Sequence, residues 1–301
     1  MTDYGHDLLF GTFITPANDP PQHAVELSVL SERVGLDLVT FQDHPYQPRF
    51  HDTWTLLSFV AARTERIRMA ANVHNLPLRH PAILARSAAS LDLLSGGRLE
   101  LGLGAGGFWD AIAAMGGPRR TAGESIEALE EGIRIIRELW NTDERGGVFF
   151  KGEHYTVDGA KRGPAPAHEM GIWIGAYGPR NLRLTGRLGD GWLPSLGYLR
   201  GGLGQLATMN AHIDEGADAA GRDPRAVRRL LNISGAFGPS RTGLLQGTPE
   251  HWIEDLTGLA LDYGISGFIL AGDDPAVIER FAAEVAPGVR ATVAAARATA
   301  D

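Results

Sequence analysis

Short β-rich runs alternate with amphipathic helical stretches along almost the whole 301-residue chain. In its first third the runs begin about every 30 residues, which is the length of a strand–helix–strand unit. Such alternation is typical of parallel sheets whose strands are connected by helices, so the chain is restricted to an α/β fold. The predicted strands cover residues 8–14, 36–41, 67–73, 98–104, 172–176, 190–194, 227–235 and 265–271.

The segments between these strands carry helical signals. Thr121 with Glu124 forms a capping-box pattern at the start of one predicted helix. Residues 146–166 break the alternation and predict an inserted hairpin and loop. The predicted helices lie near 22–34, 51–62, 80–95, 121–141, 179–188, 203–220, 248–263 and 275–298.

Eight strands, each followed by a helix, predict a closed (β/α)8 TIM barrel with inserted loops and a short hairpin. No change of composition marks a linker, so residues 1–301 are predicted to form a single domain. An open doubly wound sheet is the rival. Its dinucleotide motif is matched by Gly102, Gly104 and Gly107, but the following segment is too broken for the long helix that the motif requires. We expect these glycines to leave room for a flat ligand at the top of the barrel.

Charge, apolar patterning and the absence of cysteine exclude several function classes. Lys and Arg number 28 against 36 Asp and Glu, a net charge of −8, and no basic run occurs, so a nucleic-acid partner is not expected. No apolar segment is long enough to span a membrane and no secretion signal precedes the first strand, so we expect a cytoplasmic protein without a membrane partner. The absence of cysteine excludes a thiol nucleophile and thiolate metal ligands.

Reactive groups of a TIM barrel come from the carboxyl ends of its strands. The second strand ends in Asp43 and His44, a pair that can present one ionisable group inward with a second to orient it. A surface turn explains the same pair equally well. His74 follows the third strand, but the ends of strands four to six lack His and carboxylates, so no metal site is predicted.

The fifth strand runs into a turn of small residues that opens a helix near Pro179. Backbone N–H groups at such a helix start, beside Arg180, form a plausible phosphate cradle, although an ordinary turn has the same composition. Phe108 and Trp109 follow the glycine loop of strand four and provide an apolar wall. The motifs of serine hydrolases, P-loop proteins and zinc proteases are absent.

Residues 80–116, 174–194 and 247–272 resemble the bacterial luciferase-like flavin monooxygenase family, and the resemblance spans nearly the whole chain. The block LSGGRLELGLGAG is specific for the family but separates its members poorly. The resemblance implies a (β/α)8 barrel that binds FMN or the deazaflavin coenzyme F420 over the strand ends, with the ring against strands two to four. It also implies a cis peptide bond between Asn72 and Val73, with Val73 against the ring.

The resemblance further implies roles for individual residues. The Asp43–His44 pair looks like that of the deazaflavin-dependent branch, in which the histidine contacts the ring and shuttles a proton, so both are predicted to be catalytic. The predicted substrate pocket consists of Tyr46, Phe108, Trp109 and Trp192. The predicted cofactor-binding residues are Asn72, Val73, His74, Gly104, Ala105, Gly106, Gly175, Ala176, Tyr177 and Gly178.

The chain departs from the deazaflavin-dependent sugar-phosphate dehydrogenases at one place. Where they carry a glutamate after the glycine loop, this chain has Gly107, Phe108 and Trp109, which favours a more apolar organic substrate. We therefore predict a homodimeric oxidoreductase that transfers a hydride between F420 and a small organic substrate. The alternatives are a monooxygenase that uses reduced FMN and oxygen, a non-catalytic flavin-binding barrel, and a phosphate-binding isomerase.

Overall fold

Eight parallel strands close into a barrel in the computed structural model, which describes residues 2–299. Each strand pairs with the next along the chain, and β8 pairs with β1 through Leu9 and Gly267. The closed circle confirms the predicted (β/α)8 barrel and excludes the open sheet; both ends of the predicted 1–301 domain lie outside the described residues. The strands are β1 (Leu9–Ile14), β2 (Leu38–Phe41), β3 (Arg68–Ala71), β4 (Leu99–Gly104), β5 (Ile172–Gly175), β6 (Gly191–Trp192), β7 (Arg228–Ile233) and β8 (Gly267–Ala271).

The helices surround this barrel at the predicted places, and one further short helix, Trp109–Ala114, was not predicted. The Thr121–Glu124 capping box is present, and an antiparallel hairpin of Gly147–Lys151 and Thr156–Lys161 precedes β5. Within residues 2–299, no helix is both long and apolar enough to cross a membrane. The helices are α1 (His23–Arg33), α2 (Thr53–Ala61), α3 (Pro81–Ser95), α4 (Trp109–Ala114), α5 (Ala122–Trp140), α6 (Pro179–Leu188), α7 (Gly204–Ala219), α8 (Pro249–Tyr263), α9 (Pro275–Arg280) and α10 (Ala286–Ala298).

The helix predicted over 275–298 is interrupted. A π-helical turn over Phe281–Val285 separates α9 from α10. Pro287 follows this turn and has no N–H to donate to a carbonyl one turn earlier, so the regular ladder cannot continue through it.

The segment between α3 and β4 explains the most recognisable block of the sequence. Gly96 ends α3 in the left-handed conformation (φ 71°), and the Arg98 guanidinium donates to the carbonyls of Ala61, Thr64 and Ile67. The buried Asp92 accepts hydrogen bonds from the backbone of Leu99 and of Ala167. The first half of the block LSGGRLELGLGAG therefore connects the end of α3 to the segment that follows α2.

The barrel interior is apolar up to a defined level. Its core consists of Leu38, Ala70, Trp173, Leu193, Leu230 and Ile269, with Val73 and Phe13 packed against it. Thr40 lies two residues after Leu38 on the same face of β2, and Asn232 lies two residues after Leu230 on the same face of β7. Asn72 follows the end of β3. The change from apolar to polar side chains marks the start of an open mouth at the carboxyl ends of the strands.

Candidate active site

The chain bulges after β3. Strand pairing stops at Ala71 and resumes where His74 and Asn75 pair with Leu103 and Gly104. The peptide bond between Asn72 and Val73 is cis, which confirms the predicted bond.

The glycines of β4 and β5 leave room for this bulge. A Cβ atom on Gly102 would lie 2.0 Å from the Ala71 carbonyl oxygen, and one on Gly104 would lie 2.6 Å from Cγ2 of Val73. A Cβ atom on Gly175 would lie 3.2 Å from the same methyl carbon. The clearance at Gly102 and Gly104 is thus taken up by the protein's own bulge, and the expectation that these glycines make room directly for a ligand is corrected. Val73 forms the floor of the mouth.

Substitution of Gly104 by alanine is expected to destabilise the fold by about 1–3 kcal/mol, because the added methyl group overlaps Val73. Gly107 is the matched control, since a Cβ atom there would have no neighbour within 4 Å. Gly107→Ala is expected to change the free energy of unfolding by less than about 0.5 kcal/mol. Chemical denaturation measures both, and equal effects would contradict the placement of Val73.

Asp43 is buried, and both oxygens of its carboxylate accept hydrogen bonds. Arg79 donates from Nε and Nη2 at 2.7 Å each, and the backbone N–H of Asn75 donates at 2.9 Å. Burial raises the pKa of Asp43, but the hydrogen bonds from Arg79 and His74 outweigh it and hold the pKa well below its usual range. The partner of this carboxylate is therefore Arg79, which the sequence did not reveal. The catalytic role predicted for Asp43 stays a prediction, and its contacts are those of a residue that fixes the ends of two strands.

His44 lies at the wall of the mouth in an aromatic setting. Its ring stacks on Tyr46 with centroids 5.3 Å apart, and the ring of Phe108 meets it edge-on at 5.3 Å. Burial lowers the pKa of His44, and the nearby Asp43 charge opposes this in part. His44 is therefore neutral at physiological pH and able to accept a proton.

Tyr46 and Phe108 complete this wall. Burial, assisted by the Asp43 charge, raises the pKa of Tyr46 to about 12, so its phenol stays protonated. The Tyr46 hydroxyl is buried and has no hydrogen-bond partner among residues 2–299. Phe108 is 59% exposed, so its ring presents an apolar surface at the mouth.

His74 is fully buried behind the bulge. Its Nδ1 lies 3.4 Å from Oδ2 of Asp43, and its ring meets Trp54 edge-on at 4.7 Å. Burial lowers its pKa, so this histidine is also neutral. Nε2 of His74 and Oδ1 of the adjacent Asn75 are buried without a partner in the described part of the chain.

Asn72 and Asn232 form a pair of amides across the mouth. Asn72 Nδ2 donates to Asn232 Oδ1 at 2.6 Å, and Asn232 Nδ2 donates back to Asn72 Oδ1 at 3.1 Å. Asn232 Nδ2 also donates to the Ser195 hydroxyl at 3.0 Å. Asn232 was missed by the sequence analysis, although a polar residue at an inward position of the apolar run LLNI is a usable signal.

The turn after β5 leads directly into α6. Gly178 is the N-cap of that helix, no side chain caps it, and a Cβ atom at Gly178 would meet nothing within 4 Å. The Arg180 guanidinium binds Glu127 at 2.8 Å, so the turn offers backbone N–H groups rather than this side chain. The Tyr177 hydroxyl accepts a hydrogen bond from the backbone N–H of Ser195 at 2.9 Å. An anion fits such a helix start.

Of the remaining predicted residues, Ala105, Gly106 and Trp109 lie together after β4, whereas Trp192 lies in the core. Gly106 adopts a φ of 99°, and a Cβ atom there would lie 2.8 Å from both Pro77 and the ring of Trp109, which is half-buried at the start of α4. Ala105 packs against the core beside it. Trp192 is completely buried, and its Nε1 donates to the carbonyl of Ala176 at 2.9 Å. The predicted place of Trp192 in the substrate pocket is thus corrected: it supports the turn after β5 from behind.

No metal centre is evident in the described part of the chain. Among residues 2–299 no three His, Asp or Glu side chains lie close enough together to hold a metal ion. The expected absence of a metal stays a prediction.

Comparisons with known proteins identify related sequences. The family described as luciferase-like monooxygenase matches residues 8–253. The F420-dependent glucose-6-phosphate dehydrogenase of Amycolatopsis mediterranei (strain U-32) is 33% identical over 234 residues, covering 76% of this chain and 69% of the relative. The enzyme of the same name from Rhodococcus erythropolis is 30% identical over 295 residues, covering 89% and 86%.

Solved structures share the fold. An F420-dependent secondary alcohol dehydrogenase in complex with an F420-acetone adduct has a TM-score of 0.80 at 22% identity, covering 94% of this chain and 99% of that one. A riboflavin lyase with modified FMN has a TM-score of 0.81 at 16% identity, covering 95% and 92%. At these identities the structural likeness concerns the fold alone. Together with the family match and the dehydrogenase relatives, the barrel and its bulge place this chain in the luciferase-like monooxygenase family.

Proposed function

We propose that the protein is an oxidoreductase that transfers a hydride between coenzyme F420 and a small organic substrate. The observation that carries the proposal is His44, a neutral, half-buried histidine set between Tyr46 and Phe108 at the mouth of the barrel. Curated relatives at 30% identity or more are named F420-dependent dehydrogenases, which supports F420 over FMN.

The residues of the mouth fit such a coenzyme. The Tyr46 hydroxyl, which has no partner among the described residues, is a polar group that a bound ligand would satisfy. The uncapped N-terminus of α6 suits a phosphate group. Val73 and the turn at Gly178 would hold the ring and the phosphate respectively. When bound, the deazaflavin supplies hydride chemistry and does not support oxygen adducts.

The chain's own residues handle the proton. In the oxidative direction, the C–H bond of an alcohol breaks and its electron pair leaves as hydride for the coenzyme. The O–H proton passes to neutral His44, and a carbonyl product remains. The protonated phenol of Tyr46 is a donor available to a polar group of either ligand. Phe108 and Trp109 reduce the access of water to the reacting atoms.

The substrate we propose is uncharged and largely apolar. Phe108 faces His44 with most of its ring exposed. Arg79, Arg180 and Arg241, which follow strand ends on this face, are each bound to carboxylates. A site with these features suits an apolar alcohol or ketone better than a sugar phosphate, although the curated relatives are named for glucose 6-phosphate.

A direct assay tests this proposal. Purified protein is incubated with F420 and either a small secondary alcohol or glucose 6-phosphate, and reduction of the coenzyme is followed by absorbance. The secondary alcohol is expected to react with a kcat/KM at least about tenfold higher, a difference of about 1.4 kcal/mol in transition-state binding. Preference for glucose 6-phosphate would contradict the substrate class, whereas reaction with neither across a wider alcohol panel would contradict the function.

Substitution of Gly178 by valine is expected to lower affinity for F420 at least about tenfold, because the side chain crowds a phosphate held by charge-assisted hydrogen bonds. The fold should tolerate the change, since the added atoms point into open space. Gly258→Val on α8 is the control and should leave affinity unchanged. Calorimetric titration with F420 and with a dephosphorylated analogue separates the effects: equal losses for both ligands would indicate general damage to the barrel.

A homodimer and a cytoplasmic location remain proposals. The outer faces of α2 and α3 support the dimer, because α2 contains no charged residue and α3 has Arg86 besides the buried Asp92. Phe59, Ile83, Leu93 and Leu94 are exposed on these two helices, and most soluble oligomers are twofold homodimers.

Leu94, which is 86% exposed, offers the test of this face. Leu94→Glu is expected to convert the dimer to a monomer in size-exclusion chromatography with light scattering, because a charge would be buried without a partner. Phe149→Glu on the hairpin is the control and should stay dimeric. A wild-type monomer, or a dimer that Leu94→Glu leaves intact, would contradict the proposed interface.

A further inference from the structure

A continuous chain of hydrogen bonds crosses the mouth of the barrel. It begins at Thr40 on β2, whose hydroxyl accepts from Asn72 Nδ2 at 3.2 Å. It passes through the Asn72–Asn232 amide pair to the Ser195 hydroxyl. The backbone N–H of Ser195 then donates to the Tyr177 hydroxyl. One end of this chain adjoins Val73 and the other end lies in the turn that opens α6.

Within this chain of hydrogen bonds, Asn232 is the residue that binds both Asn72 and Ser195. Its carbonyl oxygen binds Asn72 and its amino group binds both Asn72 and Ser195. The residue is 5% exposed, so water cannot readily replace a lost partner, and an unpaired amide there would be costly. Its backbone N–H also donates to the Pro194 carbonyl at 2.8 Å, which holds Ser195 in register beside β7. The two ends of the hydrogen-bond chain are therefore connected through one buried amide.

Two further contacts connect the Tyr177 turn to the segment that contains Ser195. The Ala176 carbonyl is held by the buried Trp192, which directly precedes Leu193, Pro194 and Ser195. Tyr177 packs edge-on against Tyr198 at 5.8 Å in the same loop. The turn and the segment after β6 thus form one unit, and Asn232 connects that unit to the bulge at Asn72.

We propose that Asn232 is a positioning residue that joins the Val73 floor to the Tyr177 turn, so that a phosphate group in the turn strengthens binding of the coenzyme ring. The inference rests on the proposed function, because it assigns the ring to the floor and the phosphate to the turn. Asn232 acts through Asn72 and Ser195 and need not touch the coenzyme. Coupling of this kind is measured as a change in the affinity for one ligand when the other is present.

The test separates the two ends of the coenzyme. A dephosphorylated F420 analogue is titrated into wild-type protein by calorimetry, with and without saturating inorganic phosphate. Phosphate is expected to raise affinity for the analogue about fivefold or more, the lower end of common coupling strengths. In Asn232→Leu this gain should vanish, while each ligand alone still binds. Absence of a gain in the wild type, competition between the two ligands, or a gain that persists in Asn232→Leu would overturn the proposal.

Two more variants keep the test decisive if Asn232→Leu does not fold. Ser195→Ala removes one acceptor of the chain and should reduce the gain by at least half; an unchanged gain would overturn the proposal. Asn210→Ala removes a buried amide on α7 that binds Arg229 and the Tyr263 carbonyl instead, and it should keep the full gain. Loss of the gain in Asn210→Ala as well would indicate a general effect of destabilisation and overturn the specific role of Asn232. If neither F420 nor the analogue binds wild-type protein, the proposed function fails and this inference fails with it.

Discussion

His44→Ala is expected to lower kcat by about 10²–10⁴-fold, the usual contribution of a positioned acid–base group, while affinity for F420 changes little. The reason is that the His44 side chain makes no hydrogen bond within the described chain and contributes one aromatic wall, whereas the proposed function assigns the proton transfer to its neutral ring. Steady-state rates and calorimetric affinity, measured on the same preparations, check both halves of this prediction.

The acid limb of the pH profile provides an independent readout of the same residue. Because burial lowers the pKa of His44 from its ordinary value near 6.5, alcohol oxidation should hold at neutral pH and fall only as pH drops below about 6.5. His44→Ala should lose that limb, and His212→Ala on α7 should keep it. A collapse of affinity with unchanged turnover per bound enzyme would make His44 a binding residue instead.

Arg79→Leu is expected to destabilise the protein by about 3–5 kcal/mol at neutral pH, because it leaves the buried Asp43 carboxylate without its counter-ion. Both Asp43 oxygens accept from Arg79, which also binds Asp52 at 2.7 Å. Arg119→Leu is the control, since it breaks an exposed ion pair with Asp110, and pairs of this kind are worth about 1 kcal/mol or less. Equal losses in chemical denaturation would contradict the importance assigned to the buried pair.

The pH dependence of this effect follows from the lowered pKa of Asp43. In the wild type, the stability that the pair provides is present above the unfolded-state pKa of about 3.9 and is lost as pH falls through the lower folded-state value. Without Arg79, the largest contribution that lowers this pKa is lost, so Asp43 takes up a proton at milder acidity than in the wild type. The difference between Arg79→Leu and wild type should therefore shrink as pH falls, and Arg79→Leu with Asp43→Asn should recover part of the loss.

The barrel was predictable because its signals are local. The residue pattern that predicts each strand and most of the helices lies within a short stretch of sequence. Repetition of the strand–helix unit then favours a closed barrel over an open sheet. Thr121 with Glu124 fixed one helix start, and the broken pattern at 146–166 located the hairpin. The cis bond at Asn72 was a different matter: it followed from the family resemblance, since no local pattern in these residues predicts it.

Pairings across the barrel were not predictable from the same signals. Arg79 lies 36 residues from Asp43, and Asn232 lies 160 residues from Asn72, so no local pattern connects them. Gly104 illustrates a second limit, because a strand glycine indicates a close approach without saying what approaches. Trp192 illustrates a third limit. Its position near a strand end is compatible with a pocket residue, but its indole lies in the core and donates to the Ala176 carbonyl.

Separate titration of the purified protein with F420 and with FMN shows which coenzyme the barrel binds. We expect saturable F420 binding with a Kd of about 10 μM or below, and FMN binding at least about tenfold weaker. The His44 and Gly178 variants then locate the bound F420. Tight binding of FMN with no detectable binding of F420 would contradict the proposed function and would favour the monooxygenase alternative.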